Sequence, residues 1–294
     1  MITFCVQGPE VFGSNSSTAK LITSLLKWYP DADIHRVTSE DVSSIYESFS
    51  RVECFVIEDI GAIIYPGQKP CNTNRQIQAI KKSLQYVNQP YFCKIRADLE
   101  IQSKIDFLQL HSVAVKEGQI KMFVVDVTTK NFFDDGNFVN HICDWVYFSP
   151  TTTANLFFDT EYYVPATNNE TQKLISAEVF IWESGIKSLR RNGLLVGTSE
   201  LNATLEIMEV IFAKDYGIRS SKYGYKPPFG VNGYKGLTKW DWAFHKAHFL
   251  KHKVPASVTF MYNVSKFKKL YYFLKHSLVR LAISIRNLYL KILG

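Results

Sequence analysis

No run of about 18 uncharged apolar residues occurs in the 294-residue sequence, so a membrane-spanning helix is not expected. The opening stretch, Met1 to Val6, lacks the basic n-region and long apolar h-region of a signal peptide and reads as a strand instead. There is no internal repeat and no low-complexity tract. The five cysteines, Cys5, Cys54, Cys71, Cys93 and Cys143, are odd in number and fit no zinc spacing, which argues against a disulfide framework or a zinc module. Reduced, mostly buried thiols of a cytosolic protein are expected.

Acids are missing from one place. From residue 266 to the end there are seven basic residues, Lys266, Lys268, Lys269, Lys275, Arg280, Arg286 and Lys291, and no Asp or Glu. Removing those 7 from the total of 34 leaves 27 Lys and Arg against 27 acids before Lys266. The body is neutral and the net charge of +7 sits in the tail. A nucleic-acid-binding body would spread positive charge over one face, so no nucleic-acid partner is expected. A basic tail points to an anionic surface. Within it Phe267, Leu270, Leu274, Leu278, Leu281, Ile285, Leu288 and Ile292 recur every three or four residues, with Tyr271, Tyr272 and Tyr289 suited to a headgroup zone. That is the composition of an amphipathic helix lying in a membrane interface, each base contributing about 1 kcal/mol near an anionic leaflet. A helix packed on the body or on a partner subunit is the alternative.

What is present is enough chain for one large α/β domain or two small ones. Hydrophobic residues make up 46% and aromatics 14%; aromatic excess suits sugar-stacking faces, membrane contacts and plain cores alike. Strands are expected at 2–6, 33–39, 52–57 and 91–95, and helices at 15–28, 41–50 and 72–87, the last capped by Asn72. This alternation predicts an α/β fold with a mostly parallel sheet flanked by helices. Further on, strands are expected at 121–127 and 145–149 and helices at 153–158, 172–189 and 203–216, with a Gly-, Pro- and Tyr-rich loop at 223–236. Ligands bind at the carboxyl ends of parallel strands, which makes Gln7, Glu40, Asp59, Arg96 and Asp98 candidates.

Asp98 and Glu100 form a D-x-E pair after the fourth strand. Hard cations take oxygen ligands and commonly keep phosphate oxygens among them, so such a pair suits a metal that neutralises a diphosphate. A helix-starting Asp with a solvated Glu explains the same residues equally well. Arg96 either pairs with diphosphate oxygens, taking part of a cation's role, or is a strand-end Arg bridged to Asp98 or Asp59. Arg75 lies early in a helix, where backbone donors and a guanidinium suit phosphate; a plain surface Arg is the alternative. Glu178 is a candidate general base on an acceptor-side helix, Asp144 an alternative one, and each is also explained as an ordinary acid. His245 and His248 share a helix face within an aromatic-basic stretch that includes His252, but no acid or Cys completes a metal site.

The segment Asn72-Thr73-Asn74-Arg75-Gln76-Ile77, followed by Lys94-Ile95-Arg96-Ala97-Asp98, resembles the N-x-N-R-Q-I and K-x-R-(S/A)-D signature of the WavE lipopolysaccharide-synthesis family. Val6-Gln7-Gly8-Pro9 resembles its first strand end, and Glu58-Asp59-Ile60-Gly61 its D-P-G turn with Ile60 in place of Pro. Cys143-Asp144-Trp145 and Ala177-Glu178 through Trp182 resemble its S-D-F and P-E-x-x-x-W segments. The arrangement is also similar to family-2 glycosyltransferases, with Arg96 where the first acid of D-x-D stands there.

The resemblance implies a GT-A-like domain, set at residues 1–265, and the basic amphipathic pattern of 266–294 adds a membrane-associating helix. The resemblance implies a glycosyltransferase, which that tail would hold peripheral on the cytoplasmic face of the inner membrane. The partners are a nucleotide-sugar donor and a lipid-linked, lipopolysaccharide or capsular polysaccharide acceptor. Gln7, Gly8, Asp59, Asn74, Arg75, Lys94 and Arg96 would bind the donor. Asp98, with Glu100, would hold Mg²⁺ or Mn²⁺, and Glu178 or Asp144 would activate the acceptor. Two competing classes are a nucleotidyl- or phosphoglycosyl-transferase on a similar sheet and a non-catalytic membrane-bound scaffold of polysaccharide assembly.

Overall fold

The computed structural model describes residues 1–12, 18–64, 70–115, 119–127, 142–164, 176–195, 200–220 and 242. Strand β1 (Ile2–Gln7) is buried at all six positions, so it must lie mid-sheet with both faces covered. Helix α1 (Thr18–Trp28) buries Leu21, Ile22 and Leu25, the helical stripe expected from the sequence. Strand β2 (Asp33–Thr38), the single-turn α2 (Ser43–Tyr46) and β3 (Val52–Val56) follow. Helix α3 (Thr73–Leu84) buries Thr73, Ile77, Ala79, Ile80 and Ser83. Next come β4 (Tyr91–Arg96), the two-residue β5 (Leu99–Glu100), α4 (Phe107–Ala114), β6 (Met122–Val125), β7 (Val146–Pro150) and α5 (Thr151–Phe157). Then α6 (Ala177–Arg191), α7 (Glu200–Ile207), β8 (Met208–Ile211), α8 (Ala213–Tyr216) and β9 (Arg219–Ser220) complete the described elements.

Seven strands form one sheet in the order β3, β2, β1, β4, β7, β6, β8, and β5 pairs with β9 separately. β1 pairs in parallel with β2 and β4, β2 with β3, and β6 with β8. Only β7 runs antiparallel to its neighbours β4 and β6. This is the α/β fold with a mostly parallel sheet flanked by helices that was expected. Alternation along β1 divides the interior. Ile2, Phe4 and Val6 join Leu21, Ile22 and Leu25 of α1, Phe107 of α4 and Phe148 in one cluster. Cys5 and Gln7 face the other way, where Cys5 meets Ala79 and Gln7 meets Gln76 of α3. On that second side α5 and α6 pack tightly, a Cβ at Gly185 falling 2.4 Å from the Phe157 ring.

The structure corrects several boundaries. The helix expected over 203–216 is two short helices with β8 between them. Met208-Glu209-Val210-Ile211 buries its two ends and pairs with β6, so tertiary pairing overrides local helical propensity. Asn72 makes no capping bond at the start of α3; its Oδ1 accepts from Arg75 Nη1 instead (2.9 Å). Helix α4 was not anticipated. The thiols meet expectation in part: all five are free, four are buried and Cys54 is half-buried. The 223–236 loop, the three tail-proximal histidines and segment 266–294 lie outside the described residues.

Candidate active site

The carboxyl ends of β1 and β4 lie side by side, Gln7 registering with Arg96. Just beyond them the chain turns at Gly8, whose φ of 121° is a conformation that side chains resist. Because β7 is antiparallel, its entrance rather than its exit arrives at this edge. The Arg96 amide donates to the Trp145 carbonyl (3.1 Å), which sets Asp144 beside β4. Helix α3 crosses above and α6 begins nearby, capped by the Ser176 side chain on the Val179 amide (3.4 Å).

These elements deliver one connected polar network. Gln7 Nε2 donates to Gln76 Oε1 (3.5 Å), and Gln76 Nε2 donates to Asp144 Oδ2 (2.7 Å). Lys94 is fully buried and donates to the Asp144 carbonyl and to Gln76 Oε1 (3.5 Å). Arg96 Nη1 lies 3.7 Å from Asp144 Oδ1, while its Nε and Nη2 donate to the two oxygens of Asp98 (2.9 and 2.8 Å). The Ser220 hydroxyl donates to Asp98 Oδ2. Alongside, Arg219 donates to both oxygens of Glu100 (2.6 and 2.5 Å). The guanidinium of Arg96 also lies 5.7 Å from the centre of the Trp145 ring.

The electrostatics sort the titratable groups. Burial lowers the Lys94 pKa, with Asp144 opposing. Glu178, in the first turn of α6, is pushed up from 4.5 to about 7, first by burial and then by the charge of Asp144. The Ser176 hydroxyl and Arg96 pull the other way. A carboxyl poised near neutrality beside a carboxylate held by Arg96 and Gln76 is an arrangement that can exchange a proton at physiological pH. Gln7 Oε1 is buried and has no hydrogen-bond partner among the described residues.

The description that fits the chain by family comparison is WavE lipopolysaccharide synthesis, matched over residues 2–189. The chain belongs to that family. The matched segment carries every member of the network except Arg219 and Ser220. A search of curated proteins gives no match for this WavE-family chain. Among solved structures, it is similar to a putative glucose-1-phosphate thymidylyltransferase from Bacillus anthracis at 10% identity and a TM-score of 0.42, covering 88% of this chain and 98% of that one. It is similar to residues 1–349 of TarS from S. aureus at 12% identity and a TM-score of 0.39, covering 85% and 69%. HddC from Yersinia pseudotuberculosis follows at 10% identity and a TM-score of 0.35, covering 72% and 88%.

Of the residues singled out in the WavE-family sequence, the fold brings together Gln7, Lys94, Arg96, Asp98, Asp144 and Glu178. Gly8 forms the turn beside them. Lys94 has no exposed surface, so it acts on any ligand only through Asp144 and Gln76. Asp59 and Arg75 form a separate surface pair. Arg75 Nε and Nη2 donate to the two Asp59 oxygens (2.6 and 2.6 Å), Asp59 Oδ1 also accepts from the Gly61 amide (2.9 Å), and Arg75 Nη1 goes to Asn72. That guanidinium ties the end of β3 to the start of α3. Asn74 is likewise committed: its amide exchanges two hydrogen bonds with the backbone of Tyr163 (3.0 and 2.7 Å). Glu40 accepts from the Glu10 amide (3.1 Å). Glu10 in turn pairs with the fully buried Arg36 (3.1 Å) and accepts from the Tyr46 hydroxyl (2.8 Å).

Sequence reasoning missed Gln76, Arg219 and Ser220. Gln76 had a usable signal, since it adjoins Ile77 on the stripe that α3 turns inward. Arg219 and Ser220 had none, because only the pairing of β9 with β5 places them.

The donor set expected for Mg²⁺ or Mn²⁺ does not fit a divalent cation as arranged. Both Asp98 oxygens are engaged by Arg96 and Ser220, and both Glu100 oxygens by Arg219. Among the described residues, no group of three His, Cys, Asp or Glu side chains is placed to hold a metal. No described helix is long and apolar enough to cross a membrane.

Proposed function

We propose that this protein is a glycosyltransferase of lipopolysaccharide or capsular polysaccharide synthesis, with its active site at the carboxyl ends of β1 and β4. A nucleotide-sugar is the donor and a lipid-linked or polysaccharide hydroxyl the acceptor. Support comes from the family membership, which gives the pathway class, and from the position of the network, where open α/β sheets take their ligands. The observation that carries the reading is Glu178, raised to about 7 beside Asp144. A general base works best with a pKa near the operating pH.

In this mechanism Glu178 accepts the proton of the acceptor hydroxyl as its oxygen attacks the anomeric carbon. The bond from that carbon to the diphosphate breaks, and the nucleoside diphosphate leaves with the electron pair. Asp144, held by Arg96 and Gln76, keeps Glu178 basic enough to act. Gln7 offers its buried acceptor oxygen to the donor. Residues 266–294 hold the enzyme on the anionic cytoplasmic face of the inner membrane, which cosedimentation with anionic vesicles of the full chain and of a chain ending at Ser265 would test.

The deciding experiment is product analysis with a panel of UDP-, GDP- and ADP-sugars and a lipopolysaccharide acceptor extract. Release of nucleoside diphosphate, lost in Glu178→Gln, is the expected result. Release of pyrophosphate or nucleoside monophosphate would refute sugar transfer in favour of nucleotidyl or phosphoglycosyl transfer.

A further inference from the structure

A cation site and a guanidinium clamp make opposite demands on Asp98. As a metal ligand it needs at least one oxygen turned toward the ligand and no fixed positive charge beside it. Here Arg96 is bonded to both oxygens of the carboxylate, and Ser220 donates to one of them as well. Glu100 is in the same condition with Arg219. A divalent cation placed on this pair would have to displace two bidentate guanidiniums and then sit against their charge.

The same contacts make Arg96 unusually well fixed for an Arg side chain. Asp98 holds its fork, Asp144 lies 3.7 Å from Nη1, and the Trp145 ring lies beneath it. Its side chain is 21% exposed, so part of it is open to solvent at the strand ends. A planar, permanently charged guanidinium matches phosphate oxygens in geometry, and charge fixed in advance stabilises a leaving group without reorganisation.

We propose that Asp98 is a positioning residue for Arg96 rather than a metal ligand, and that the donor diphosphate is bound and released against Arg96 without a divalent cation. The inference rests on the nucleotide-sugar reading above. Ser220 belongs to the same device: its hydroxyl fixes the far oxygen of Asp98, and β9 carries it there. The Arg96 guanidinium thereby takes the place of the ion that the first acid of D-x-D would help to hold.

The test separates this inference from the reading beneath it. Binding of UDP, GDP, CMP and ADP to the full chain is measured by calorimetry in EDTA and in MnCl2, and Mn²⁺ uptake is followed by electron paramagnetic resonance with and without the nucleotide that binds best. The expected result is a Kd that agrees within about twofold in the two buffers, with no Mn²⁺ held by the protein. Arg96→Lys keeps the charge and loses the fork, and should weaken binding about tenfold or more. Asp98→Asn and Ser220→Ala should weaken it by less, equally in both buffers. A Kd that worsens tenfold or more in EDTA, or Mn²⁺ uptake that disappears in Asp98→Asn, would overturn the metal-free clamp and leave glycosyl transfer standing. Absence of binding by every nucleotide in both buffers would overturn the donor reading and the clamp together. Circular dichroism of each variant guards against loss of fold.

Discussion

Replacing Glu178 with Gln should make the protein more stable and inactive at once. The folded-state pKa of Glu178 stands at about 7 instead of 4.5, through burial first and Asp144 second. A raised carboxyl pKa means that the folded state binds more protons than the unfolded state between those two values. Stability therefore falls as pH rises through that window, and the loss is complete above pH 7. At about 1.4 kcal/mol per pH unit, the penalty at pH 8 is about 3 kcal/mol. Gln keeps the shape and removes the charge, so the penalty vanishes. For a chain of this size that is a rise of roughly 6–12 °C in Tm. The assay is urea unfolding of both proteins at pH 4.5 and pH 8. The gain should be near zero at the lower pH and full at the higher one. In Asp144→Asn, the wild-type transition near pH 7 should move down without reaching 4.5, because burial remains. A variant no more stable than wild type at pH 8, or a gain independent of pH, would refute the assignment of Glu178 as an acid whose pKa the fold raises. Stability gained where activity is lost is the expected mark of a functional site.

Other outcomes follow from geometry away from the proton site. Gly185→Ala drives a methyl to 2.4 Å from the Phe157 ring, and should cost about 1–3 kcal/mol in chemical unfolding; a neutral result would mean that α5 and α6 pack less closely than described. Glu10→Ala strands the fully buried Arg36 and should cost about 3–5 kcal/mol, whereas an Arg36→Met, Glu10→Met double variant should recover most of it. Arg75→Ala removes an exposed pair with Asp59 and an exposed hydrogen bond to Asn72, so its unfolding midpoint should stay near wild type and respond to salt no more than wild type does. Under native conditions a thiol reagent should label Cys54 first, since Cys5 and Cys93 are fully buried and burial raises their pKa values; simultaneous labelling of all five would contradict the packing of β1 on β4.

The first half of the fold was legible because its signals are local. Apolar runs at β1 and β4 and the Ile77–Ile80 stripe of α3 are each visible within their own segment. Turn residues such as Gly8 and Pro90 separate them. The carboxyl-edge rule points to Gln7, Arg96 and Asp98, which meet in the network, and equally to Glu40 and Asp59, which pair elsewhere with Glu10 and Arg75. What stayed hidden was pairing between distant segments. Met208 to Ile211 looks helical until β6 is beside it, and Ser220 looks like an ordinary loop serine until β9 docks on β5. Direction was hidden too: nothing local says that β7 runs backwards, and that reversal is why Asp144, ahead of its strand, faces the site. Arg75 shows the converse. The motif marked it correctly as special, but its guanidinium is spent on Asp59 and Asn72, a job that sequence alone does not distinguish from phosphate binding.

The network's members, Gln7, Gln76, Lys94, Arg96, Asp98, Asp144, Glu178 and Ser220, span nearly all of the described chain. No fragment shorter than residues 7–220 contains the whole of it, and its closing bond joins Asp98 to a residue 122 positions later. Such long-separation contacts form late and slowly, because chain closure must be completed before they contribute. A ribosome-bound chain that has emerged only as far as α6 contains the sequences of β1 to β4, yet its Asp98 still lacks Ser220. The site should therefore reach its full ligand affinity only once β9 has docked on β5, later than the sheet itself.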